Sequence, residues 1–224
     1  MRREHDNPTR TGPDEHTLLF LTGDDFVDHS MYGHTVTNSG VTLSTANAHF
    51  SSCYCFNGSS IMNTDLGSRK ITNGTFTLEM WVRLENTTKS YKCIADFCDH
   101  STLYFDASDN RDGTLVLMNG AASWQANGSY LMDYRGKSVL FATTWKHVAI
   151  VGNDNGHNYM YIDGVKKTGD GFETCTNLMS MANGKIKFGN IALNMNRFFR
   201  GYMEEIRLSN VVRYTDNFTP QSYR

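Results

Sequence analysis

The chain has 224 residues, of which 39% are hydrophobic and 20% charged, and a formal charge of −2. This length suits a single all-β sandwich, the apolar share supplies one core, and the charge level argues against a disordered chain. No Lys/Arg run follows any segment and no apolar stretch approaches the ~20 residues that span a bilayer, so neither nucleic-acid binding nor membrane insertion is expected.

Residues 1–16 are polar, contain Pro8, Gly12 and Pro13, and show no periodicity. They read as an extended or disordered arm, or as a segment that docks on a partner subunit. The basic start is not followed by an apolar run, so no secretory signal is expected. From residue 17 to residue 224 short alternating runs are separated by Gly, Asn, Asp and Ser clusters, the punctuation of β-structure. The clearest run is Thr75 to Leu84: Phe76, Leu78, Met80, Val82 and Leu84 point one way, Thr77, Glu79, Trp81 and Arg83 the other. Leu115 to Met118 leads into Asn119-Gly120. Asn158 to Ile162 turns at Asp163-Gly164 into Val165-Lys166-Lys167, the dipeptide of a type I′ hairpin. Lys185 to Asn190 alternates again, and no helical stripe of three turns occurs anywhere. The fold class that follows is all-β, a sandwich or barrel of antiparallel strands.

The five cysteines, at 53, 55, 93, 98 and 175, are odd in number, which favours thiols in a reducing compartment over a disulfide framework. Cys93 and Cys98 could form half a zinc site, but no second pair with suitable spacing follows.

Six segments in order resemble the concanavalin A-like lectin/laminin G-like sandwich, a two-sheet antiparallel jelly roll. They are Leu18-Leu19-Phe20-Leu21 with Asp25-Phe26-Val27-Asp28, then Cys55-Phe56-Asn57-Gly58, the Phe76–Arg83 strand, Trp145-Lys146-His147-Val148-Ala149, the Asp163-Gly164 hairpin, and Glu204-Glu205-Ile206-Arg207-Leu208-Ser209. The ending, Val211 to Thr215 with Asn217-Phe218-Thr219-Pro220, is similar to that of such domains in tailed bacteriophages. The resemblance implies a virion surface protein, made in the host cytoplasm, present in multiple copies or as a homo-oligomer, and contacting capsid or tail subunits, with residues 1–16 as one route. It implies surface polysaccharide as a ligand, or a purely structural role as head decoration or fibre component.

The superfamily also contains endoglucanases, whose paired carboxylates lie about 5 Å apart in the retaining mechanism. Here Glu79 and Glu85 share a strand face but stand about 20 Å apart at strand rise. Glu204 and Glu205 are adjacent and should face opposite ways, so an enzyme is not expected. The resemblance implies a calcium ion held between an acidic loop and the last strand, with Asp24, Asp25, Asp28 and Glu204 as candidate oxygen ligands. Glu204 is expected on the core side with Ile206 and Leu208, Glu205 and Arg207 paired on the other. Hydrogen bonding of Glu204 to backbone amides is the alternative. For a glycan, an aromatic ring beside amides is the expected platform: Trp124, Gln125, Asn127 and Tyr130 in one loop region, and Trp81 on its sheet surface. Core packing is the ordinary alternative for Trp81 and Trp145.

Overall fold

A computed structural model describes residues 12–85, 91–97, 101–106, 114–119, 129–133, 144–154, 157–167, 181, 183–191 and 197–223, with 91, 101–106, 114–119 and 129–133 as backbone only. Among the described residues fifteen strands make two antiparallel sheets. Sheet A contains β1 (Thr17–Leu21), β3 (Thr42–Ser44), β4 (Cys53–Asn57), β6 (Phe76–Leu84), β11 (Lys146–Gly152), β12 (Asn158–Ile162), β13 (Val165–Lys166) and β15 (Arg200–Ser209). Sheet B contains β2 (Val36–Ser39), β5 (Ile61–Asp65), β7 (Tyr91–Asp96), β8 (Ser101–Asp106), β9 (Thr114–Asn119), β10 (Ser129–Asp133) and β14 (Lys185–Phe188). Their spatial order is β13-β12-β11-β6-β15-β4-β3, with β1 also on β15, and β10-β9-β8-β7-β14-β5-β2. The expected jelly-roll sandwich is therefore present.

Alternation along β6 does what its sequence requires: Phe76, Leu78, Met80, Val82 and Leu84 are each at most 1% exposed in the core between the sheets. Ile150 and Val148 of β11, Met203, Ile206 and Leu208 of β15, and Ile186 and Phe188 of β14 join them. Each such side chain contributes about 1.5–3 kcal/mol on burial. Cys53 and Cys93 are buried thiols and Cys55 is half-buried; Cys98 and Cys175 lie outside the described residues.

The hairpin at Asp163-Gly164 is as expected. Both residues have positive φ, 51° and 73°, and Ile162 pairs with Val165. Gly164 is required twice over, since a Cβ there would stand 1.8 Å from the Phe218 carbonyl oxygen.

The last strand departs from simple alternation. Glu204 pairs with Trp81 and Arg207 with Glu79, so β15 spends Glu205 and Ile206 opposite the single residue Met80. This is a β-bulge, and Glu205 takes a left-handed conformation, φ 51°. The expectation for Glu204 is thereby corrected: it does not share the face of Ile206 and Leu208 but lies beside Trp81 on the outer side of sheet A. The extra residue resets the phase, so Glu204, Glu205 and Arg207 all turn outward.

The boundary at residue 17 also needs adjustment. Asp14 binds Arg213 with N–O distances of 2.6 and 3.1 Å and accepts the Thr17 hydroxyl at 2.8 Å, while Asn210 donates its amide to the His16 carbonyl. Residues 14–16 thus belong to the sandwich, and residues 1–11 lie outside the described residues.

Candidate functional site

The outer face of sheet A divides into a covered zone and an open one. Chain 211–223 folds back across the first. Tyr214 stacks on Phe218 with centroids 3.6 Å apart, and both rings pack on Tyr161, with Ala149 and Val151 beneath. Under this cover lies a buried polar cluster. The Glu79 carboxylate, 0% exposed, accepts Arg207 Nε at 2.7 Å, the Tyr214 hydroxyl at 2.6 Å and the Tyr223 hydroxyl at 2.5 Å. The Arg207 guanidinium lies 3.8 Å from the Tyr223 ring centroid, and His147 Nε2 stands 3.5 Å from Glu79 Oε2, too far for a well-formed hydrogen bond. Burial pushes the Glu79 carboxyl up, but Arg207, His147 and the Tyr214 hydroxyl outweigh it and hold the group well below the usual carboxylate range. Burial, then the Glu79 charge, pushes both tyrosines up. The expected Glu205–Arg207 pair is therefore replaced: Arg207 serves Glu79, and Glu205 accepts the Ser222 hydroxyl and the Tyr223 amide.

The open zone is built on Trp81 and Arg83 of β6, Tyr202 of β15, and Trp145 just before β11. Trp81 and Trp145 are half-buried here on the outer surface, not in the core. Arg83 lies between two rings, its Cζ 4.4 Å from the Tyr202 centroid and 5.6 Å from that of Trp145. The connection from β3 to β4 forms the rim. Asn47 accepts Arg83 Nη2 on its side-chain oxygen at 2.8 Å and Trp145 Nε1 on its carbonyl at 3.2 Å. His49 lies over Trp81 at 4.1 Å between centroids, and Phe50 meets Trp81 edge-on at 5.5 Å. His49 and Phe50 are both exposed. Desolvation lowers the His49 pKa against the pull of Asp163, which favours a neutral ring on the indole. Trp81 Nε1 and Arg83 Nε are buried donors with no partner among the described residues.

Glu204 fixes this rim. Its buried carboxylate accepts the His49 amide at 2.8 Å and the Phe50 amide at 3.2 Å, the backbone-amide alternative of the sequence reading.

The other carboxylates expected to share a calcium ion have separate tasks. Asp28 accepts five donors within 2.9 Å, from the Phe20, Ser30 and His34 amides, the Ser30 hydroxyl and the His34 ring. Burial raises its pKa, but these donors more than reverse that. Asp25 engages the His29 ring and Asp24 the Ser51 hydroxyl. Among the described residues no three His, Cys, Asp or Glu side chains are grouped as a metal site. Glu85 binds Arg200 at the far end of β6 from Glu79.

Of the residues expected at a glycan site, Trp81 lies in the patch. Tyr130 lies in β10 of sheet B, opposite Met118, and Trp124, Gln125 and Asn127 fall outside the described residues. Sequence reasoning missed His49, Phe50 and Tyr202. Alternation places Arg83 beside Trp81, but only the cross-strand register brings in Tyr202 opposite Arg83.

The comparisons with known proteins agree with this architecture. No curated protein matches the sequence. Domain 4 of AbnA, a GH43 extracellular arabinanase from Geobacillus stearothermophilus solved in complex with arabinotriose, is similar at a TM-score of 0.61. It is 20% identical, over 88% of this chain and 93% of that one. The binding domain of botulinum neurotoxin serotype D/C is similar at a TM-score of 0.63 and 14% identity, and that of serotype G at 0.62 and 16%. The match covers 88% of this chain in both cases, but only 49% and 48% of the toxin domains, so the chain spans about half their length. These likenesses show the fold. A laminin G family model matches residues 57–217. By that match the chain belongs to the concanavalin A-like lectin/glucanases superfamily.

Proposed function

We propose that the chain is a non-enzymatic glycan-binding module whose site is the aromatic patch around Trp81. The observation that carries this reading is the aromatic cluster on the outer face of sheet A, with His49 and Phe50 exposed against the half-buried Trp81, and Arg83 between the half-buried Trp145 and the buried Tyr202. Apolar sugar faces stack on such rings, and flanking polar groups bind hydroxyls. The arabinotriose held by the arabinanase domain of the same fold supports a saccharide ligand. The non-enzymatic part rests on Glu79 and Glu85: one is sealed beneath the chain's last residues and the other is paired with Arg200. The phage-like ending supports display on a virion, beside capsid or tail subunits.

A glycan array followed by titration calorimetry on the strongest hit tests the reading. Trp81→Ala should weaken binding at least tenfold, about 1.4 kcal/mol, with the chain still folded. An array without hits, or a variant binding as the wild type does, would overturn it.

A further inference from the structure

The outer face of sheet B carries a groove that the aromatic patch does not explain. Its volume is about 480 Å3, and Thr35, Thr37, Asn63, Asp65, Lys185 and Lys187 line it. Strand register sets these residues in rows. Thr37, Asn63 and Lys187 stand abreast across β2, β5 and β14, and Lys187 faces Asp96 on β7. In the second row Asp65 faces Lys185, with Thr35 next to it, one residue before the Val36–Thr64 pair. The intervening Met62, Ile186 and Phe188 point into the core, which fixes the polar set outward. Neighbours across strands lie about 4.8 Å apart, and the two rows about 7 Å apart along the strands.

Charge decides the class of ligand. Lys185 is exposed and Lys187 half-buried, and neither ammonium group has a carboxylate partner among the described residues. Asp96 is buried and engaged elsewhere, while Asp65 accepts the Gly67 amide on Oδ1. A densely charged polyphosphate would meet Asp65 as well as the lysines and be repelled by it. A chain of sparse single charges between many hydroxyls suits the mixture: lysine is a compact point charge for a carboxylate, and Thr, Asn and Asp match hydroxyls. We infer that this groove is a second saccharide site, selective for a carboxylate-bearing polysaccharide such as a uronic acid chain. The two outer faces point away from each other, so both sites can be filled at once.

The groove shares no residue with the Trp81 patch, so the two readings fail separately. The test is binding of polygalacturonate oligomers and of neutral galactan oligomers of matched length, at low and at physiological ionic strength. Wild-type protein should prefer the polygalacturonate at least tenfold, and the preference should shrink with salt. Lys185→Ala with Lys187→Ala should abolish the preference with an unchanged melting temperature, the Arg pair should retain it, and Trp81→Ala should leave it intact. Equal affinity for the two oligomers, or an alanine pair that binds like wild type, would overturn the inference. Loss of the preference in Trp81→Ala alone would assign polygalacturonate to the patch instead. Equally tight binding of a short single-stranded DNA would reduce the groove to a general polyanion surface.

Discussion

Replacing Glu79 by Gln tests whether a charge beneath the chain's last residues holds them down. The variant keeps the shape and an acceptor for Tyr214 and Tyr223 but leaves the Arg207 guanidinium, 1% exposed, without a counter-charge. Breaking a buried pair from one side costs about 3–5 kcal/mol, because a desolvated charge remains. A domain of this kind has about 5–15 kcal/mol in total, so the loss should be plain in urea unfolding followed by tryptophan fluorescence. Adding Arg207→Met should recover most of it, since removing both charges can be near neutral. Acid offers a second readout. Folding holds the Glu79 carboxyl below its ordinary value of 4.5, through Arg207 above all and against the opposing effect of burial. Its contribution is therefore complete above that pH and fades as pH falls further. Gln does not titrate, so the wild-type advantage over Glu79→Gln should shrink on acidification. A cost below about 1 kcal/mol at neutral pH would refute the reasoning.

Two further outcomes follow from the chain's edges. Deleting residues 1–16 removes Asp14 from the 4%-exposed Arg213, and a partly exposed partner of this kind is worth about 1–3 kcal/mol. The deletion should melt about 3–10 °C below one that stops at residue 13, and equal melting temperatures would show that Asp14 carries no weight. Because Asp28 and Glu204 spend their oxygens on N–H and O–H donors, melting in excess chelator and in millimolar calcium should agree within about 1 °C. A bound ion at a hundredfold its dissociation constant would add about 2.7 kcal/mol and separate the two curves.

Alternation made the sheets legible in the sequence, because the apolar residues of β6 and β14 recur at every second position and enter the core. The Asp163-Gly164 turn was legible for a comparable reason: few dipeptides tolerate two positive φ angles. The outer surface of sheet A was not. Its assignment depends on which strand lies beside β6 and on one extra residue in β15, and no local pattern encodes either. Alternation put Glu204 on the wrong face because a bulge leaves the composition of a strand unchanged. Core packing stays the ordinary alternative for Trp81 and Trp145 in the sequence because aromatic residues usually are buried, whereas the β3–β4 connection covers them only in part. The far partners of Arg207 and Asp14 are 128 and 199 residues away in sequence, a separation that periodicity cannot bridge.

The bulge at Glu205 makes one strand a junction between two coverings. Glu204 reaches the rim at His49 and Phe50, while Glu205 reaches the chain's end at Ser222 and Tyr223. Each covering is tied down by its own carboxylate, so either can change in length or composition while the sheet keeps its register. For an engineer this makes the β3–β4 connection a replaceable cassette: new recognition loops need only present two amides to Glu204. Excising Glu205 would have the opposite effect, restoring strict alternation and forcing both coverings to compete for the same positions on the strand.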